Sequence, residues 1–136
     1  MQFPVSPSVS FPHLDPAKDT GPWALALLSL PPNSTLMAAS EWLTWPQWIE
    51  RFGQVTGVKT SYKETTVQDL DEHLPGGLGR EIGEMYAFSS EFADEAFGGD
   101  TLMKADLEEK GIEVKTTNLR EYIEKEDWVA GGILPV

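Results

Sequence analysis

The stretch from Ser40 to Gly57, SEWLTWPQWIERFGQVTG, constrains the fold of this chain more than any other. It sets Trp42, Trp45 and Trp48 close together and ends on a glycine. Thr44-Trp45-Pro46-Gln47 has the form of a capping box, in which the Thr hydroxyl receives a backbone N–H and the Gln side chain reaches back. Pro46 fits the first turn, where N–H groups have no intrahelical partner. Gly57 stands where a helix closes through a left-handed residue. Start, apolar period and stop therefore agree on one helix from Trp45 to Thr56. Its spacing puts Trp45, Trp48, Ile49, Phe52 and Val55 inward and Glu50, Arg51 and Gln54 outward.

Around this helix the other elements follow from similar signals. Prolines at 4, 7 and 12 make residues 1–12 an extended arm. Its apolar beads Phe3, Val5, Val9 and Phe11 suit it to lie along a neighbouring surface, including that of another subunit. Asp19 or Thr20 caps a helix running to Leu30, apolar nearly all round and so expected to be buried. Thr35–Ala39 and the alternating Val58–Glu64 read as short strands. Thr66 caps a short helix to Leu74, broken by Pro75-Gly76-Gly77. A longer helix is predicted from about Gly79 to Phe97, with Leu78, Ile82, Met85, Tyr86, Ser89, Phe92, Ala93 and Ala96 on one face. A short helix over Lys104–Lys110 closes at Gly111, and Thr117 or Asn118 caps a last one from Leu119 to about Asp127. The fold class is α+β: a mostly helical single domain with a small sheet of short strands around 35–39 and 58–64. A length of 136 residues suits one such domain, residues 13–136 following the arm.

Charge narrows the function. Ten basic against twenty-two acidic residues give a net charge of −12, with no basic stripe. Nucleic-acid binding is rejected on that ground. No apolar run is long enough to span a bilayer, and Met1-Gln2-Phe3-Pro4 does not open a signal peptide. The absence of cysteine removes disulfides and thiolate zinc sites, and the expected location is the cytoplasm.

No motif of high catalytic specificity is present: no dinucleotide fingerprint, P-loop, nucleophile elbow or HExxH. Gly76-Gly77-Leu78-Gly79 follows a helix and a proline, which suits a helix-linking turn better than a phosphate loop. The two histidines, His13 and His73, lack companions at ligand spacing, so no metal is expected. His73 reads as a surface residue at a helix C-terminus. Two readings stand for His13, flanked by Leu14, Asp15 and Asp19: an exposed arm histidine, or a general acid or base near neutral pH. Asp19 pairs with Asp15 or caps a helix. Glu81, Glu84 and Glu91 lie near Tyr86 on the long helix, where the edge of an aromatic pocket would raise a carboxylate's pKa by desolvation. Five tryptophans in so short a chain point to a large apolar cavity or interface.

From Leu14 onward the stretches LDPAKDTGPW, ASEWLTWPQWIERFGQVTGVK, LPGGLGREIGEMYAF and TTNLREYIEKEDW resemble the C-terminal part of the NmrA-like family, relatives of the atypical short-chain dehydrogenases, most closely its fungal members. Two segments depart from the family pattern, Glu91–Gly99 and Met103–Gly111. The resemblance implies a lobe that caps a Rossmann domain and supplies much of a ligand pocket, here without the dinucleotide domain. No cofactor is then expected, and the apolar face left open implies a homodimer, with the arm reaching across. The function implied is a small cofactor-independent enzyme of secondary metabolism, a lyase, isomerase or cyclase acting on an apolar molecule. His13, Asp15, Tyr86 and Glu91 are its expected polar participants. Trp23, Trp42, Trp45, Trp48, Met85 and Phe88 are its expected walls, with Trp48 core and Trp42 or Trp45 at the pocket or seam. The alternative is a non-catalytic ligand-binding or regulatory module that pairs with a separate Rossmann protein.

Overall fold

The computed structural model describes residues 1–74 and 76–134; Pro75 of the predicted break lies outside them. Among the described residues eleven elements follow one another: β1 (Gln2–Phe3), β2 (Ser10–His13), α1 (Pro16–Leu28), β3 (Glu41–Thr44), α2 (Trp45–Thr56), β4 (Lys63–Glu64), α3 (Val67–His73), α4 (Leu78–Glu91), α5 (Ala93–Phe97), α6 (Lys104–Glu109) and α7 (Leu119–Lys125). The architecture is mostly helical, with two pairs of short strands. β1 lies parallel to β4, and β2 antiparallel to β3 in the register Phe11↔Leu43 and His13↔Glu41.

α2 forms as its residues dictate. The Thr44 hydroxyl receives Gln47 N–H at 3.3 Å, and Gln47 Oε1 receives Thr44 N–H at 2.9 Å. Gly57 closes the helix at φ +75°. Phe52 is buried, and Trp48, Ile49 and Val55 pack with it against Leu43, Leu119 and Ile123. Arg51 departs from the outward expectation: its guanidinium meets Glu41 Oε1 at 2.6 Å.

The arm is integral to the fold. Val5 and Phe11 are core residues, and Tyr62 donates its hydroxyl to Val5 O at 2.7 Å. The arm expected to reach across to a second copy packs here against its own chain. Pairing with β4 covers only Gln2↔Lys63 and Phe3↔Glu64, because the chain after Glu64 turns into α3, which Thr66 caps. The predicted strand at 58–64 accordingly shrinks to Lys63–Glu64. That at 35–39 is a single bridge, Leu36↔Leu102, because its partner segment turns at once into α6, where Asp106 accepts Met103 N–H at 2.6 Å.

Two helices also differ from expectation. α1 starts at Pro16, with Asp15 as cap accepting Ala17 N–H at 3.0 Å; Pro16 needs no donor in the first turn. Only one side of α1 is buried: Trp23 and Ala26 pack against Leu107 and Val114, while Leu25, Leu27 and Leu28 are exposed. The long helix breaks at Phe92 (φ −122°, ψ 40°), whose carbonyl starts α5 by accepting Ala96 N–H at 2.7 Å. The bend carries Phe97 back onto Phe11, ring centroids 5.3 Å apart. α4 also turns a different face inward. Gly79 and Gly83 lie against α3, where a Cβ on Gly83 would sit 3.2 Å from the Val67 Cα. Leu78, Met85 and Phe92 consequently face out. No helix among the described residues is long and apolar enough to cross a membrane.

Candidate functional site

β2, the start of α2, α4 and the end of α5 enclose an aromatic groove of about 310 Å³, lined by Phe11, Pro12, His13, Trp45, Met85, Tyr86, Ser89 and Phe97. Sequence spacing explains each contribution. The pleat of β2 sends Phe11 and His13 to one side. The capping box fixes where Trp45 leaves the backbone, and the turn at Phe92 returns Phe97. Trp45 is the hub: its ring lies 4.8 Å from Phe3, 5.9 Å from Phe11, 5.5 Å from His13 and 5.7 Å from Tyr86. Tilted and edge-on contacts of this kind add to the stability that area burial alone provides.

Two residues of this wall carry an unsatisfied polar atom. His13 Nε2 and Trp45 Nε1 are buried with no hydrogen-bond partner among the described residues. Buried polar groups are nearly always paired, so two orphans beside one groove call for a partner. Burial lowers the pKa of His13 below the usual histidine value; a backbone hydrogen bond to Leu43 and the charge of Glu41 oppose this without reversing it. The imidazole is therefore neutral at pH 7. Burial also raises the pKa of Tyr86, keeping its hydroxyl protonated.

On its other side His13 borders a smaller polar cleft of about 130 Å³, with Asp15, Ser40, Glu41, Trp48, Asn118 and Tyr122 among its walls. The carboxylates around it hold the fold together. Asp19, 1% exposed, accepts Ser40 Oγ–H at 2.5 Å, Thr117 N–H at 2.9 Å and Asp15 N–H at 3.3 Å. Burial alone would raise its pKa, but these donors overcome that and hold it below the ordinary carboxylate value. Glu41 joins Arg51 to Leu119 N–H, which reaches its Oε2 at 2.5 Å. Together they fasten the 116–119 segment to α1 and β3.

The candidates from the sequence divide accordingly. His13, Trp45, Met85 and Tyr86 meet at the groove. Asp15 borders the polar cleft, but one of its oxygens is engaged in capping α1. Trp48 stacks on Phe52 at 5.6 Å and borders the polar cleft. Trp42 is exposed and touches Phe97 edge-on at 6.2 Å. Trp23 is core, and its Nε1 is also unpartnered. Glu91 and Phe88 stand apart: Glu91 is exposed beside α5, and Phe88 packs on Phe92 at 5.1 Å. The 100° turn per residue places both on the solvent side of α4 once Gly79 and Gly83 face α3. Phe11, Phe97 and Ser89 were missed as walls. Phe11 had a signal, as an apolar bead one residue before a proline and two before His13; Phe97 had none, since the turn at Phe92 brings it in.

The sequence matches no protein-family profile and no curated protein. Among solved structures it is similar to a double mutant of NmrA, with a TM-score of 0.65 and 16% identity over 91% of this chain. The chain spans 42% of the length of that protein. It thus shares the fold of part of NmrA, and the chemistry of its groove rests on its own residues.

Proposed function

We propose that this protein is a ligand-binding module whose aromatic groove takes a small, flat, largely apolar molecule with a hydrogen-bonding edge. The observation that carries this reading is the pair of unpartnered ring nitrogens, His13 Nε2 and Trp45 Nε1, buried beside an apolar groove. A carbonyl or ether oxygen on the ligand would satisfy the indole N–H, and a hydroxyl would engage the neutral imidazole. Rings of Phe11, Tyr86 and Phe97 supply the flat contact. Among the described residues no carboxylate lines the groove, which favours binding over paired acid–base catalysis.

A second reading keeps the neutral His13 as a general base, with Tyr86 as donor, in a non-redox dehydration, isomerisation or cyclisation. The unpartnered Nε2 is what favours it. The fungal, secondary-metabolism setting of either reading rests on the motif resemblance. Both are tested together by titrating the protein with hydroxylated anthraquinones and flavones while following indole N–H signals by NMR, with Trp45→Phe assigning the peak. A saturable shift of the Trp45 signal is expected. No saturable shift across the panel would defeat the binding reading. Conversion of a bound compound, abolished by His13→Asn, would favour the catalytic one.

A further inference from the structure

The outer side of α4 carries a second feature, of which only Met85 also borders the groove. Leu78, Met85, Phe88 and Phe92 are 52%, 53%, 55% and 39% exposed. At 100° per residue they fall within one narrow sector, about 80° wide, running the length of the helix. The Phe88 and Phe92 rings touch at 5.1 Å, so the stripe is continuous at that end. Its orientation is fixed from behind, because Gly79 and Gly83 leave no room between α4 and α3 for rotation. Single exposed apolar residues are ordinary, but an aligned stripe on a held helix marks an interaction surface.

Charge decides what covers it. Between Val67 and Phe97 there are eight Asp and Glu residues and one Lys or Arg, Arg80. Arg80 is paired with Glu84 at 2.9 Å. Glu81 interrupts the stripe, and Glu84 and Glu91 line its solvent edge. A second copy laid on this face would set these glutamates against their own kind in a chain of net charge −12. We propose that α4 docks an amphipathic helical segment of another protein, apolar along one face and flanked by Lys and Arg. Such a helix would lay apolar residues spaced three and four apart into the stripe. Its cations would meet Glu81, Glu84 and Glu91.

The test uses the full chain and two synthetic helical peptides of about 18 residues, enough to overlie the roughly 21 Å of α4. Both carry the same Leu/Phe stripe; one is flanked by Lys and Arg, the other by Glu. Fluorescence anisotropy should show the basic peptide binding at least about tenfold tighter, and losing most of that advantage between about 0.05 and 0.5 M salt. Phe88→Glu, at an exposed site, should weaken it by about tenfold or more without changing the melting temperature. Glu84→Lys combined with Glu91→Lys should reverse the preference between peptides. Equal affinity for the two peptides, no binding of either, or no effect of Phe88→Glu would overturn the proposal. So would sedimentation showing a dimer that Phe88→Glu dissolves, since the stripe would then belong to a second copy.

Discussion

Replacing Asp19 should be among the costliest single changes in this protein. The carboxylate is 1% exposed and holds three donors from separate segments: Ser40 Oγ at 2.5 Å, Thr117 N at 2.9 Å and Asp15 N at 3.3 Å. A hydrogen bond to a charged group is worth about 1.5–3 kcal/mol, and each buried donor left without a partner costs about 1–3 kcal/mol. In Asp19→Asn the amide oxygen can keep Thr117 N–H. The amide nitrogen then faces Asp15 N–H, donor against donor, while Ser40 can turn to accept. One bond lost and one weakened give a destabilisation of about 2 kcal/mol; Asp19→Ala strands both backbone donors and should cost about 3–5 kcal/mol. Urea denaturation at pH 7 measures both. Acid sharpens the test. The folded pKa of Asp19 lies below its reference value of 3.8. Its contribution is therefore present above the unfolded pKa and is lost as pH falls through the folded value. The gap between wild type and Asp19→Asn should stay constant from about pH 7 to pH 5 and narrow below about pH 4. An Asp19→Asn protein within about 0.5 kcal/mol of wild type at pH 7, or a gap that widens with acid, would refute the reasoning.

Three further outcomes are expected. Gly79→Ala should cost about 1–3 kcal/mol, because its Cβ would press on the Leu70 carbonyl and come within 2.7 Å of the Asp71 Cα; Gly21→Ala, in open space within α1, should instead stabilise by about 0.5–1 kcal/mol, and thermal melts of the pair read the contrast. His13 should titrate below 6.5 by NMR and make stability fall as pH drops below that value, since the unfolded chain takes up the proton first; a value above 6.5 would remove the neutral imidazole from the groove. Leu25 and Leu28 of α1, exposed and one helical turn apart, leave an apolar patch for the homodimer that the family resemblance implies; sedimentation should detect self-association weakened by Leu28→Glu, and monomer alone at up to about 100 µM would end that idea.

Much of the local structure was legible because its signals are local. Thr44 and Gln47 open α2 within one turn of each other and Gly57 closes it at the far end, while Thr66 at α3 and Asn118 at α7 cap their helices over the same short reach. Capping depends on side chains three residues apart, so it is written in the sequence. Of the groove, His13, Trp45, Met85 and Tyr86 follow from residue type together with the family resemblance, whereas Phe97 arrives through the turn at Phe92, which no local signal announces. Asp19 reads as a cap from its neighbours, yet its partners Ser40 and Thr117 are 21 and 98 residues away. Asp15 wins the cap because Pro16 follows it, which frees Asp19 for that long-range role. The apolar runs of α1 and α4 looked like core because periodicity reports that a face is apolar, without saying what it will meet. Which face turns inward was settled on α4 by Gly79 and Gly83, where α3 can approach only where no Cβ stands. Propensity and capping act between neighbours and are set by the sequence by itself. Burial is a contest among all surfaces of the chain at once, and only the tertiary structure decides which of them prevail.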